Sequence, residues 1–188
     1  MTLTDLPENL PVPEDDGAAS HLLGLSLPSV ALPSTAGQLV RLDNLEGYAV
    51  LYVYPMTGRP GVALPDEWEA IPGARGCTPQ SCSFRDHYAP LQKFGARVFG
   101  VSTQTTDYQA EAKERLLLPY ELLSDRDLQL KEVLALPTFK AEDLEVYKRL
   151  TLIAKDGEIV KVFYPVFPPD QNAADVLTWF QEIESIER

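Results

Sequence analysis

Two cysteines carry most of the chemistry this sequence can offer. Cys77 and Cys82 stand five positions apart, a spacing that is neither that of a zinc finger nor a Cys-X-X-Cys redox motif. The two histidines, His21 and His87, do not complete a four-ligand site with them, because only His87 is near in sequence. Metal binding is therefore the weaker account, and neither a metal nor an organic cofactor is expected. As plain structural residues the pair would be two small buried side chains, a common fate of free cysteine.

Position argues for redox chemistry. Cys77 falls immediately before a predicted helix, where unpaired backbone N–H groups and the positive end of the helix dipole favour a thiolate. Arg75 and Arg85 add positive charge within a few residues, so a lowered pKa at Cys77 is expected. A thiolate attacks a peroxide oxygen to give a sulfenic acid, with which a nearby thiol condenses. Cys82 lies within the first turns of the same helix. Five residues of helix rise about 7.5 Å and turn about 140°, which separates the two Cα atoms by roughly 8.6 Å. A disulfide needs less than about 7 Å, so the bond requires the start of the helix to unwind. Pro79 and Ser81 are poor helix formers in that turn and lower the cost.

The elements that must position these residues follow from pattern. Residues 1–20 are rich in Pro, Asp and Glu and predict an extended or disordered arm, with one domain over 21–188. Val40 to Leu42 reads as a short strand and Ala49 to Tyr54 as a strand buried on both faces, stopped by Pro55. Residues 55–76 are punctuated by Gly58, Pro60, Gly61, Pro65, Pro72 and Gly73, which predicts a long loop before the cysteines. Trp68 within it serves either to cover a pocket or to anchor the loop. Thr78 as cap and Pro79 as first residue predict a helix that presents Phe84, Tyr88 and Leu91 and ends at Gly95. Arg97 to Ser102 reads as a second buried strand, Thr106 with Gln109 as a capping box for a helix to about Leu117, Glu121 to Leu123 as a strand, and Asp127 to Leu134 as a short helix. Arg149 to Ala154 and Glu158 to Tyr164 form a hairpin around Asp156-Gly157, and a closing amphipathic helix starts at Asn172. The order implies an α/β fold, a mixed sheet flanked by helices, compatible with a thioredoxin-like fold.

Composition narrows the class. The chain has 188 residues, 45% of them hydrophobic, and a net charge of -12. That charge disfavours nucleic acid and anionic membrane as partners. The apolar runs are strand-length, not membrane-spanning, and the acidic start carries no export signal, so a cytoplasmic protein is expected. The apolar residues Phe163, Tyr164, Val166 and Phe167 could close the core or form a dimer contact.

The run Gly76-Cys77-Thr78-Pro79-Gln80-Ser81-Cys82-Ser83-Phe84-Arg85-Asp86 resembles the active-site segment of the peroxiredoxin Q family, also called bacterioferritin comigratory protein. A broader resemblance runs from about Gly24 to the C-terminus. Tyr52-Val53-Tyr54-Pro55 precedes the site, Gly100-Val101-Ser102 follows it, and Arg149-Leu150-Thr151-Leu152-Ile153 lies where the family has an arginine-bearing strand. The resemblance implies a thioredoxin-like fold and a thiol peroxidase acting on hydrogen peroxide or organic hydroperoxides. It makes Cys77 the peroxidatic and Cys82 the resolving cysteine, and Arg149 the guanidinium holding thiolate and peroxide. Gly76, Pro55 and Gln80 become the expected substrate-lining positions. Thioredoxin or a similar dithiol is the implied reductant, and a monomer is favoured with a dimer as the alternative.

Two departures stand out. Ala74 occupies the position where the family places Thr or Ser three residues before its reactive cysteine. Thr57 precedes an insertion and is expected to fold back and supply that hydroxyl, unless the contact has been lost. Gln80 replaces a frequent glutamate, so a carboxylate partner for Arg149 must come from elsewhere or be absent. A redox sensor, or a structural thioredoxin-fold protein without turnover, is the alternative function.

Overall fold

The computed structural model describes residues 3–187. Its centre is a five-stranded sheet of order β5-β4-β3-β8-β9, made of β3 (Tyr48–Val53), β4 (Arg97–Ser102), β5 (Glu121–Ser124), β8 (Leu150–Lys155) and β9 (Glu158–Phe163). β3, β4 and β5 run parallel, while β8 and β9 are antiparallel additions. This is the mixed sheet the sequence implied, and the fold is thioredoxin-like.

β3 is apolar along its length because both faces are covered. Ala49, Leu51 and Val53 face one cluster with Phe99, Val101, Leu123 and Leu152. Val50 and Tyr52 face the other, with Phe84, Leu122, Val176 and Phe180. Helices α1 (Cys77–Asp86) and α5 (Asn172–Glu187) supply the second cluster. α4 (Gln129–Leu134) and the segment around Leu22 and Leu27 supply the first. Among the described residues, no helix is long and apolar enough to cross a membrane.

Several boundaries differ from those expected. The helix of the cysteines begins at Cys77 itself, with Gly76 as cap. Pro79 is thus its third residue, still within the first turn, where no intrahelical N–H bond is lost. It does not run on to Gly95 but breaks at His87 and restarts as α2 (Tyr88–Gln92). Pro90 explains the break, because in a continuous helix it could not donate to Asp86 and its ring would strike that carbonyl. For α3 (Thr106–Leu116) the cap is Thr105, which accepts from the Tyr108 amide. Gln109 does not close a capping box; it turns inward and donates to Ser102 Oγ at 2.9 Å and to the Leu123 carbonyl at 2.8 Å.

Of two small hairpins, pattern reading anticipated only the strand at Val40 to Leu42, which lies one residue earlier, at Leu39–Arg41. β1 (Ala31–Pro33) pairs with β2 (Leu39–Arg41). β6 (Thr138–Ala141) pairs with β7 (Leu144–Tyr147) through a turn in which Glu142 takes a positive φ of 52°. That turn has no glycine to announce it. Segment 55–76 is a loop with one short helical turn, Trp68–Ala70. Trp68 is buried against Phe139 of the β6–β7 hairpin, with ring centroids 5.8 Å apart, so it is an anchor. Of the apolar segment before α5, Val166 is buried and Phe167 exposed.

Residues 3–16 form no helix or strand, yet they lie against the body. Asp16 ties the segment down, accepting from Lys148 Nζ and from Tyr164 Oη, each at 2.8 Å. These bonds hold its carboxyl down to about 2.

Candidate active site

Cys77 is the first residue of α1, where the opening N–H groups of a helix have no partner within it. Gly76 before it has φ 112°, a conformation that L side chains rarely adopt. A Cβ there would also stand 2.3 Å from Pro169 Cγ, so this position is closed to every other residue. Beneath the helix, Tyr52 of β3 stacks on Phe84 with centroids 4.5 Å apart. Gly100 of β4 leaves room for that ring, since a Cβ there would fall 2.7 Å from it.

Arg149, one residue before β8, reaches the sulfur. Its Nη2 lies 3.2 Å from Cys77 Sγ and also donates to the carbonyls of Gly73, Ala74 and Arg75 at 3.1–3.3 Å. Nη1 donates to Gln80 Oε1. Gln80 Nε2 in turn donates to Asn172 Oδ1 at 3.0 Å, which also accepts from Thr151 Oγ1 at 2.7 Å. All five of these side chains are buried. The fork of the guanidinium is thus fixed by neutral acceptors, and none of those bonds is to a carboxylate.

Cys77 is 3% exposed. It lines a recess of about 10 Å³ with Leu3, Met56, Gly58, Leu64, Trp68, Arg75, Gly76 and Thr78, room for about one water-sized molecule. A far larger cleft of about 410 Å³ lies beside Arg149 and Gly73, walled by Val12, Pro13, Phe139 and Tyr164.

Cys82 is half-buried on the same helix, and both cysteines are free thiols. Burial pushes the Cys82 thiol up, an effect that the nearby Arg85 opposes. The residue before it is pinned from two sides. Tyr120 Oη donates to the Ser81 carbonyl at 2.7 Å, and Tyr52 Oη donates to Ser81 Oγ at 3.1 Å, the two phenols lying 2.9 Å apart. Burial holds both phenols well above their ordinary range, so they act as neutral donors.

Of the residues expected at the site, Cys77, Gly76 and Arg149 come together. Gln80 is there too, but it faces Arg149 and supplies the acceptor for which a carboxylate was sought. Pro55 is buried beyond the end of β3 and does not line the recess. The Thr57 hydroxyl does not turn to the sulfur: it donates to Gln104 Oε1 at 3.1 Å, and Gln104 Nε2 returns a bond to the Thr57 carbonyl. Its neighbours Met56 and Gly58 wall the recess instead. Thr78, read only as a helix cap, lines the recess beside Cys77. Asn172 and Thr151 gave no sequence signal beyond a helix start and a strand position.

The chain is similar to known proteins over most of its length. A model of the Redoxin family matches residues 22–177. Peroxiredoxin Bcp of Escherichia coli strain K12 is 32% identical over 160 residues, covering 82% of this chain and 92% of the relative. The crystal structure of peroxidoxin BcpB from Mycobacterium tuberculosis is similar with a TM-score of 0.69 and 25% identity, covering 86% of this chain and 97% of that one. A bacterioferritin comigratory protein of Xanthomonas campestris, solved in a study of its alkyl peroxide reduction, shares the fold with a TM-score of 0.65 at 20% identity, over 84% of this chain and 96% of that one. The family match begins after the segment 3–16.

Proposed function

Since the chain belongs to the Redoxin family, as a thiol peroxidase of the Bcp and peroxiredoxin Q type, we propose that Cys77 is the sulfur oxidised by the hydroperoxide and Cys82 the thiol that resolves it. The Cys77 thiolate attacks the terminal oxygen of ROOH. The O–O bond breaks, the alkoxide leaves with a proton as ROH, and Cys77 is left as a sulfenic acid. Cys82 then attacks that sulfur, an S–S bond forms and water departs. An external dithiol returns both cysteines to thiols by exchange.

The observation that carries this reading is the 3.2 Å approach of Arg149 Nη2 to Cys77 Sγ at the first residue of a helix. A guanidinium so held favours the attacking thiolate and donates to the oxygen on which charge develops. Its other bonds are to neutral oxygens, so no carboxylate shares its charge. Gln80, Asn172 and Thr151 act through Arg149 as positioning residues. Thr57 is assigned to holding the recess wall through Gln104, and Thr78 is the hydroxyl residue nearest the reacting sulfur in sequence.

Peroxiredoxins act on hydroperoxides with thioredoxin-type reductants, and we take thioredoxin as the donor and the cytoplasm as the compartment, in keeping with two free cysteines. Burial of Val166 within its own chain favours a monomer. Mass spectrometry after one equivalent of peroxide tests the assignment. The wild type should show an internal disulfide, Cys82→Ser a sulfenic acid at Cys77, and Cys77→Ser neither. Sustained peroxide consumption with a thioredoxin system separates an enzyme from a sensor that oxidises once, and activity retained by Cys77→Ser would remove the proposal.

A further inference from the structure

Leu3 and Leu6 lie at the recess that holds Cys77. Leu3 is part of the wall of the recess that contains Cys77. It sits so close over Gly58 that a Cβ there would come within 2.8 Å of Leu3 Cδ2, and a Cβ on Gly76 would meet Leu6 Cδ2 at 3.0 Å. Between the two leucines, the Asp5 carbonyl accepts from Arg75 Nη2 at 3.5 Å.

From there the segment continues along one side of the molecule. Leu10 and Pro11 pack where Gly73, Arg75 and Phe167 meet. Val12, Pro13 and Asp16 wall the 410 Å³ cleft beside Arg149. The far end is fixed by the Asp16 bonds to Lys148 and Tyr164. The near end combines that Asp5 bond with the apolar contacts of two half-buried leucines.

We infer that residues 3–8 form a lid that sets the size of peroxide Cys77 accepts, admitting molecules near the size of water and excluding bulky organic hydroperoxides until Leu3 and Leu6 lift. This rests on Cys77 being the peroxide-reactive sulfur. The recess under the closed lid has room for about one water. An aralkyl hydroperoxide does not fit there, whereas with the lid raised the apolar surfaces of Met56, Leu64 and Trp68 would meet its hydrocarbon.

The test compares two substrates on the same protein. Single-turnover oxidation of Cys77 is followed with hydrogen peroxide and with cumene hydroperoxide, in the full chain, in a variant lacking residues 1–8, and in a full-length Leu3→Ala, Leu6→Ala variant. The ratio of the cumene hydroperoxide rate constant to that of hydrogen peroxide should rise about tenfold in the truncated chain, equivalent to about 1.4 kcal/mol, and in the same direction in the double variant. A ratio that moves by less than about twofold in the folded variants overturns the lid. Should truncation impair folding, the double variant decides alone. Cys77→Ser is run in parallel: peroxide reduction surviving in it removes the functional reading and the lid together, whereas a Cys77-dependent reaction with an unchanged ratio removes only the lid.

Discussion

Replacing Tyr120 by phenylalanine should speed formation of the disulfide while weakening the fold. Helix geometry keeps the Cα atoms of Cys77 and Cys82 farther apart than a disulfide allows, so the turn between them has to unwind. Ser81 moves in that unwinding, and Tyr120 Oη holds its carbonyl at 2.7 Å in a buried setting. One such bond is worth about 0.5–1.5 kcal/mol net. It is made in the helical state and lost in the unwound one. Removing it should therefore raise the unwound population, and with it the rate of resolution, by roughly 2- to 12-fold. Global stability should fall by about 1–2 kcal/mol, since a buried carbonyl loses its phenol donor.

The assay is a single turnover with one equivalent of peroxide, quenched in a sulfenic-acid trap and a thiol-blocking reagent and read by mass spectrometry. Faster resolution shortens the life of the sulfenic acid, so the variant should also show less sulfinic acid at excess peroxide. Ser81→Ala removes only the Tyr52 bond and should give a smaller effect in the same direction. If Tyr120→Phe loses stability as expected and yet forms the disulfide at the wild-type rate or more slowly, the turn is not what limits the meeting of the two sulfurs.

Four further outcomes are expected. Arg149→Lys, which cannot span Gln80, the loop carbonyls and the sulfur with one ammonium, should slow Cys77 oxidation about 10²- to 10³-fold, measured by stopped-flow with hydrogen peroxide. Asn172→Leu strands the Gln80 amide and the Thr151 hydroxyl and should cost about 1–3 kcal/mol by urea denaturation, with a slower oxidation step that Asn172→Asp partly restores. The raised pKa of Cys82 means that less of it is thiolate at neutral pH; resolution should accelerate as pH climbs through and past the ordinary thiol range, and a flat profile of sulfenic-acid decay from neutral to alkaline pH would contradict this. Amide exchange at Thr78 to Arg85 should lose protection on oxidation, and unchanged exchange there would contradict the unwinding step.

The central sheet was legible because its strands are long and apolar. Ala49 to Tyr54 and Arg97 to Ser102 have few other fates, and Asp156-Gly157 marks the β8–β9 turn. Cys77 and Cys82 were legible from their place at a helix start, and Arg149 from its resemblance to an arginine-bearing strand. What stayed hidden depends on contacts distant in sequence. Nothing local tells that Gln109 turns into the sheet, or that Gln80 and Asn172, 92 positions apart, share a bond. The β6–β7 hairpin was missed because its turn uses Glu142 at positive φ, where glycine or asparagine would have signalled it. Thr57 misled for a related reason: its hydroxyl has a partner in Gln104, 47 residues away.

That missed hairpin matters to the chemistry more than its size suggests. The chain leaves β7 at Tyr147 and two residues later delivers Arg149, so the hairpin fixes where the guanidinium starts. Phe139 on its other strand receives Trp68, the anchor of the long loop. The end of that loop turns the carbonyls of Gly73, Ala74 and Arg75 onto Arg149 and then enters α1 through Gly76. Sulfur and guanidinium are therefore set by two chain segments that clasp one another through the Trp68–Phe139 contact, an apolar cluster of Trp68, Ala74, Ala141 and Val146, and a bond from the Asp66 amide to Glu142 Oε1. Ala74 needs no side-chain oxygen for this, because its main-chain oxygen is the group in use. The guanidinium thus relies on fixed backbone acceptors at the end of the loop, and this couples Cys77 to the packing of residues 55–76.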